Sequence, residues 1–501
     1  MPSSSAHDGN GQNSALPSIK ELLLDAAQRS PDAAYIRHNQ AQITFSEVLP
    51  LLFDIASQSL LHEGQRAVIL LPDSLETALI HLACMFQRAI MIPLSPLSAS
   101  VHVRYVVDRV NPDIVFTTPI LHSKFAAILE NMTVVKVSSG NPISLRLENP
   151  SSDIESPRSS DVRSIFFTSG TTGEPKGVCL SEGNLLSAAR INGSILQLDS
   201  SRRSLLMVPL YDYYGAIQLA SHLMAAASCT VGASGQFPGS AIELIQSHAV
   251  TDLVLVPFTL RTMLDYVEKS TREEYRLAWS KIAHMASSSD KLTIEILQRA
   301  FAFNHHLTVV NVYGLTEAGR ACYRVIRENT LPENSIGLPS PGMNVRVDAP
   351  PGESGELVIA GPTVMMGYLK GVVDDQISLN SVEEVRTADE GYVDEGGEIH
   401  LIGRKDHLIS IYGMKLHPAE IEIPVNRIHG VEDSLARVSE DAHGRKIIIL
   451  DVIADEESVT KDRIVDLLRD RVPRPFLPQA INFVDSIPRT EIGGKLVRNR
   501  A

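Results

Sequence analysis

The chain has 501 residues, 44% apolar and 21% charged, an ordinary globular profile with room for one large and one smaller domain. A formal charge of −14 excludes a general nucleic-acid binder, which needs a basic face. It does not exclude a single anionic nucleotide, because backbone N–H groups and a few cations bind phosphate locally.

Residues 1–17 carry no apolar core and no basic start, so they read as an unstructured tail and not a secretory signal. From about 19 to 135, helical patterns alternate with short apolar runs. "SIKELLLDAAQRS" and "SLETALIHLACMFQRA" have helical spacing, and "RAVILLP" and "DIVFTT" are buried-strand types. That alternation predicts parallel α/β layers. Residues 139–161, rich in Ser and Pro, read as a surface connection. A second α/β series runs through "SLLMVPL", "DLVLVP" and "LTVVNVYG". After 340 the texture changes to short strands between Gly and Pro, "VRVDAP", "GELVIAG" and "GEIHLIG", which suggest a small β subdomain. From Gly403 a compact α+β unit is expected. The predicted organisation is a tail (1–17), a multi-layer core of two α/β subdomains plus a small β subdomain (18–402), and a smaller C-terminal lid (407–501). No apolar stretch reaches the roughly 20 residues of a spanning helix. Cys84, Cys179, Cys229 and Cys322 form no CxxC pair and no metal spacing, which points to a reducing, cytoplasmic compartment.

The stretch "FFTSGTTGEPKG" (166–177) reads as a phosphate loop. A P-loop needs Lys directly after the last Gly, then Ser or Thr, then a helix. Here Glu174 and Pro175 intervene before Lys176, and Gly177 follows it. ATP hydrolysis by that scheme is therefore disfavoured. Four further stretches follow in order: "NVYGLTE" (311–317), "RTADEGYVDEGG" (386–397), "GRKDHLISIYGMKLHPAEIE" (403–422) and "PRTEIGGKLVR" (488–498).

Together these five stretches resemble the adenylate-forming superfamily of acyl- and aryl-CoA synthetases, peptide-synthetase adenylation domains and luciferase. The resemblance implies an ATP- and Mg²⁺-dependent ligase that makes acyl-AMP and pyrophosphate. Such phosphoryl chemistry is mostly positioning plus electrostatic stabilisation. Thr168, Ser169, Gly170, Thr171, Thr172, Gly173 and Lys176 would wrap the β- and γ-phosphates. Tyr313 and Gly314 would line the adenine pocket and Asn311 would bond its amino group. Thr316 would contact the α-phosphate, and Glu317 would hold magnesium. Asp389 would accept both ribose hydroxyls, with Arg404 reaching ribose or phosphate. Lys495 would serve adenylation, and Asp406, in the segment 403–406, would be the hinge of a rotating C-terminal domain.

The sequence departs from the family pattern at five places. Ala388 replaces a Gly, adding one methyl and leaving the Asp untouched. Ser288 and Ser289 replace a Gly pair beside adenine, a departure that bears on either the adenine or the acyl pocket. Ser410 stands where relatives often carry Lys. The segment before Lys495 is one residue longer than the family pattern. In "PLYDYYG", Asp212 replaces His, the place where amino-acid-activating relatives pair a carboxylate with the substrate ammonium. Tyr211, Tyr213 and Tyr214 suggest a polar-aromatic wall, with core packing as the alternative.

The acid is thus either amine-bearing or an ordinary aryl or acyl acid. No carrier segment follows Arg498, so the acceptor is expected to be free coenzyme A or the phosphopantetheine of a separate carrier protein. Arg469, Arg471, Arg474, Arg489, Arg498 and Arg500 would face an acidic carrier or simply solvent. Transfer to an amine or other nitrogen nucleophile, and a non-catalytic ligase scaffold, are the rival readings.

Overall fold

The buried-strand runs assemble as the alternation predicts. The computed structural model describes residues 16–138, 144–149, 160–168, 174–233, 237–290, 292, 294–330, 335–373, 375–404, 409–412, 414–416, 418–441, 444–454 and 459–487. The sequence-predicted residues Ser169–Gly173, Asp406 and Lys495, and the side chain of Arg404, lie outside the described residues.

Two large sheets carry the core. In the first, Arg66–Leu70, Ile90–Leu94, Ile114–Thr117, Val134–Ser138 and Val162–Thr168 run parallel. In the second, Arg203–Leu206, Ser228–Thr230, Asp252–Leu255, His284–Ser287 and Thr308–Leu315 run parallel. Their strands are continuous apolar runs because helices cover both faces of such sheets. The covering helices start at sequence-coded caps. Ser18 and Glu21 form a capping box on Ile19–Arg29. Ser181 accepts the Asn184 N–H at the start of Glu182–Leu196.

The short strands after 340 do not form a sheet of their own. Asn344–Asp348, Gly355–Ala360, Glu384–Val393 and Ile399–Arg404 extend the second large sheet through Ser335–Pro339, while Gly367–Val373 and Gln376–Ser381 extend the first. The chain between them therefore stitches the two sheets together. Strand pairing is non-local, so local texture could not reveal this.

Residues from Ile409 onward build a separate apolar core around Ile421, Ile448, Leu450, Ile464 and Phe476. A hairpin, Ile409–Ile411 with Met414–Leu416, projects from it and lays the Tyr412 ring on Phe258, with ring centroids 4.1 Å apart. Lys446 pairs with Asp290 at 2.8 Å, and Arg261 donates to the Gly444 carbonyl at 2.9 Å. All four cysteines are buried and free.

Candidate active site

The phosphate loop joins two strands. Val162–Thr168 and Lys176–Ser181 are antiparallel, with Thr168 opposite Lys176. The connection is a hairpin and not the strand–loop–helix of a P-loop, which agrees with the spacing argument. Tyr105 Oη donates to the Pro175 carbonyl at 3.0 Å and ties down the far end of the loop.

Thr316 and Glu317 sit in the turn between Thr308–Leu315 and Gly319–Ile326. The turn is so tight that a Cβ on Gly314 would lie 1.9 Å from the Gly319 carbonyl oxygen, so only glycine fits there. Tyr368 Oη donates to the Glu317 carboxylate at 3.1 Å, and Thr168 Oγ1 lies 3.5 Å from the same oxygen. Burial and the nearby Glu317 carboxylate push the Tyr368 phenol above its ordinary range, so it stays a donor. Lys176 Nζ lies 5.1 Å from the centre of the Tyr368 ring. One tyrosine thus touches both the candidate metal carboxylate and the candidate phosphate lysine.

These groups share one cavity of about 540 Å³ with Tyr211, Asp212, Tyr213, Ser289, Gly314 and Thr316. Tyr412, Met414, Leu416, Arg471, Pro473 and Phe476 close it from the C-terminal side. Arg471 therefore lines the cavity, while Arg469 is exposed and pairs with Asp466.

Asn311, Tyr313 and Asp389 do not reach the cavity lining. Asp389 is buried, and its neighbours Thr387 and Ala388 line the cavity. Its carboxylate accepts from Tyr313 Oη at 2.6 Å, and its N–H donates to Thr387 Oγ1 at 3.0 Å. Asp389 lies opposite Arg404 on adjacent strands. Ala388 has φ 59°, and Ser289 has φ 77°. Both departures from glycine therefore fall at left-handed positions that strain any side chain. The expectation that the Ala388 methyl is a small change missed this backbone cost.

The acyl end is organised by Asp73. Its Oδ1 accepts the Leu210 N–H at 2.9 Å, which fixes the segment before Tyr211 and Asp212. Burial raises the Asp73 carboxyl to about 6, against the lowering effect of that hydrogen bond. Asp212 is the N-cap residue of the Tyr213–Ala225 helix, but its side chain makes no capping bond. Tyr213 meets Phe166 edge-to-face at 5.6 Å, and Tyr214 Oη reaches the Ala286 carbonyl at 3.3 Å. Tyr213 and Tyr214 are buried, and together with Tyr211 they line the cavity, so their position is compatible with core packing and with a polar-aromatic wall alike.

Sequence reasoning missed three lining residues. Burial lowers the His102 imidazole to about 4, so the ring is neutral at pH 7. Tyr368 carries no charge that would flag it. Arg320 is only 3% exposed, and its guanidinium carbon lies 4.0 Å from the centre of the Tyr214 ring. An arginine inside the apolar strand run "GRACYRVI" was the available signal.

A family model described as AMP-binding enzyme matches residues 23–369. The chain belongs to this AMP-binding enzyme family. A probable CoA ligase, CCL9, from Humulus lupulus is 26% identical over 94% of this chain and 93% of its own length. The solved structure of o-succinylbenzoate CoA synthetase (MenE) from Bacillus subtilis superposes with TM-score 0.78 at 19% identity, covering 95% of this chain and 96% of that one. PA1221, a peptide-synthetase protein with adenylation and carrier domains, superposes with TM-score 0.76 at 20% identity, covering 96% of this chain and 83% of that one. This AMP-binding enzyme is an AMP-forming ligase with the mixed α/β fold of adenylating enzymes. Among its described residues no helix is long and apolar enough to cross a membrane.

Proposed function

We propose that this ligase activates a small polar carboxylic acid as its adenylate, then passes the acyl group to a phosphopantetheine thiol in the cytoplasm. The observation that carries the reading is the single cavity that holds both the candidate phosphate groups, Thr168, Lys176, Thr316 and Glu317, and the candidate acid-binding groups, Tyr211, Asp212 and Tyr213. A nucleophilic carboxylate must meet the α-phosphorus of ATP in one enclosure, because proximity supplies much of the rate.

In this reading the loop 168–176 holds the β- and γ-phosphates, and Thr316 bonds the α-phosphate. Tyr313, Asn311 and Asp389 take adenine and ribose, with Arg404 beside them. The carboxylate and hydroxyl oxygens of Glu317, Thr168 and Tyr368 are a hard donor set that suits magnesium. The ion would neutralise charge on the phosphates and leaving group. Lys495 serves adenylation, and a hinge at Asp406 exchanges it for the hairpin around Tyr412. Names of relatives support both acceptors: coenzyme A for the hop ligase and a carrier domain for PA1221.

ATP–pyrophosphate exchange across amino, aryl, dicarboxylic and fatty acids tests the reading. A fatty acid giving the highest kcat/KM would overturn it. Asp212→Ala separates the two acid classes. If Asp212 pairs with an ammonium, activation of amine-bearing acids falls at least 100-fold while ATP binding is kept. An unchanged acid profile removes the amine from the reading.

A further inference from the structure

Buried arginines are nearly always paired, because a guanidinium carries five N–H donors and a charge that is costly to remove from water. Arg320 departs from that rule. Its side chain is 3% exposed, in the cavity wall beside Ser288, Tyr213 and Tyr214. Nη1 has one long contact, to Ser288 Oγ at 3.4 Å. Nε and Nη2 have no hydrogen-bond partner among the described residues. The guanidinium carbon lies over the Tyr214 ring, 4.0 Å from its centre, and Nε and Nη2 are closed to solvent behind the cavity surface. The Nε–Nη2 edge is the fork that matches a planar oxyanion bidentately, and a small rotation of the side chain toward the cavity it lines would present it.

The strand places the fork relative to the chemistry. Arg320 is the register partner of Gly314, and the turn between them carries Thr316 and Glu317. The arginine is therefore anchored by the same hairpin as the candidate phosphate contacts, on the wall shared with Tyr213 and Tyr214. A cavity shaped for a hydrocarbon tail has no use for a charge at this place.

We infer that Arg320, with Ser288, is the specificity determinant for a second carboxylate on the acid substrate, so that the enzyme takes dicarboxylic acids in preference to monocarboxylic acids of equal length. The inference rests on the ligase reading above and adds the substrate class. The carboxylate to be activated meets ATP, the second one meets the Arg320 fork, and the carbon skeleton lies along Tyr213 and Tyr214.

The test uses the full chain and matched acid pairs: hexanoate with adipate, and 3-phenylpropionate with 3-(4-carboxyphenyl)propionate. Two readouts are taken, kcat/KM for ATP–pyrophosphate exchange and the shift in Tm on adding each acid. The wild-type enzyme favours the diacid in at least one pair. Arg320→Met lowers the diacid-to-monoacid ratio of kcat/KM by about 100-fold and abolishes the diacid-induced Tm shift. Arg320→Lys, which keeps the charge without the fork, falls between the two. Without added acid, Arg320→Met melts at or above the wild type, because a buried charge with no carboxylate partner among the described residues is replaced by an apolar chain of similar length.

Preference for the monoacid in both pairs overturns the inference, and so does an equal loss on both members of a pair in Arg320→Met. A much lower Tm for that variant in the absence of acid marks Arg320 as a structural group and also overturns it. If no acid supports exchange, the ligase reading fails. An Arg320-dependent Tm shift with the diacid then still upholds the anion pocket, and the absence of any such shift removes both.

Discussion

Tyr313 Oη donates to the Asp389 carboxylate at 2.6 Å, joining the strand Thr308–Leu315 to the strand Glu384–Val393. Two residues assigned separately to adenine and ribose thus form one unit. Burial and the Asp389 charge raise the Tyr313 phenol well above its ordinary value, so it remains a donor. The bond holds the carboxylate in one orientation before nucleotide arrives. Tyr313→Phe removes the donor and keeps the ring. A hydrogen bond to a charged group contributes about 1.5–3 kcal/mol, so KM for ATP should rise at least 10-fold with little change in kcat. Steady-state kinetics at saturating acid checks this. An unchanged KM would show that Asp389 needs no such positioning.

Ala388 adopts φ 59° in the cavity lining, next to Asp389 in the chain. An L-residue in the left-handed region costs roughly 1–2 kcal/mol, partly offset by the lower unfolded-state entropy of Ala relative to Gly. Ala388→Gly should therefore stabilise the protein by about 0.5–1 kcal/mol, visible as a higher Tm. It also removes a methyl from the cavity lining, so KM for ATP should fall or stay constant. A lower Tm would mean that the methyl packs well enough to outweigh the strain.

Asp73 makes stability depend on pH with an unusual sign. Its folded-state value is raised from 3.8 to about 6, so the native state binds this proton more tightly than the unfolded chain does. The penalty is absent below about pH 4, grows as pH rises to about 6, and is fully present above that. Asp73→Asn keeps an acceptor for the Leu210 N–H and removes the buried charge. The variant should gain on the order of 2 kcal/mol over wild type at pH 7.5 and nothing at pH 4. Unfolding curves at the two pH values decide the matter. An equal difference at both would assign the effect to packing.

What the sequence made legible follows from physics that is local. Runs such as Arg66–Leu70 and Ile114–Thr117 announce buried strands by composition, and Gly314 and Glu317 sit in a motif whose spacing carries the turn. The strands after 340 were legible as strands but not as extensions of the two large sheets, because partner choice depends on distant segments. Thr168, Lys176, Asp212 and Glu317 could be named, yet Tyr368, which touches both Lys176 and Glu317, could not. Its role comes from an approach of chain segments far apart in sequence. The strain at Ala388 and Ser289 was hidden for a related reason: a positive φ is a property of the turn and not of the residue type.

The hairpin Ile409–Ile411 with Met414–Leu416 places Tyr412, Met414 and Leu416 on the cavity wall. A wall closed by these residues fits the second half-reaction, in which an acyl-adenylate meets a thiol and no second anion has to be neutralised. Adenylation is different, since a carboxylate and an α-phosphate are forced together and need a cation between them. Lys495 is the proposed source of that charge. Losing one preorganised stabilising group of this kind typically costs about 10²–10³ in rate. Lys495→Ala should therefore lose most ATP–pyrophosphate exchange while still converting a supplied acyl-adenylate to thioester at close to the wild-type rate. Measuring both half-reactions on one preparation controls for unfolding, because a misfolded variant loses both. Equal loss of the two steps would place Lys495 in the fold and not in the chemistry. Normal exchange would move the role to Lys176, whose ammonium already faces the Tyr368 ring in the cavity.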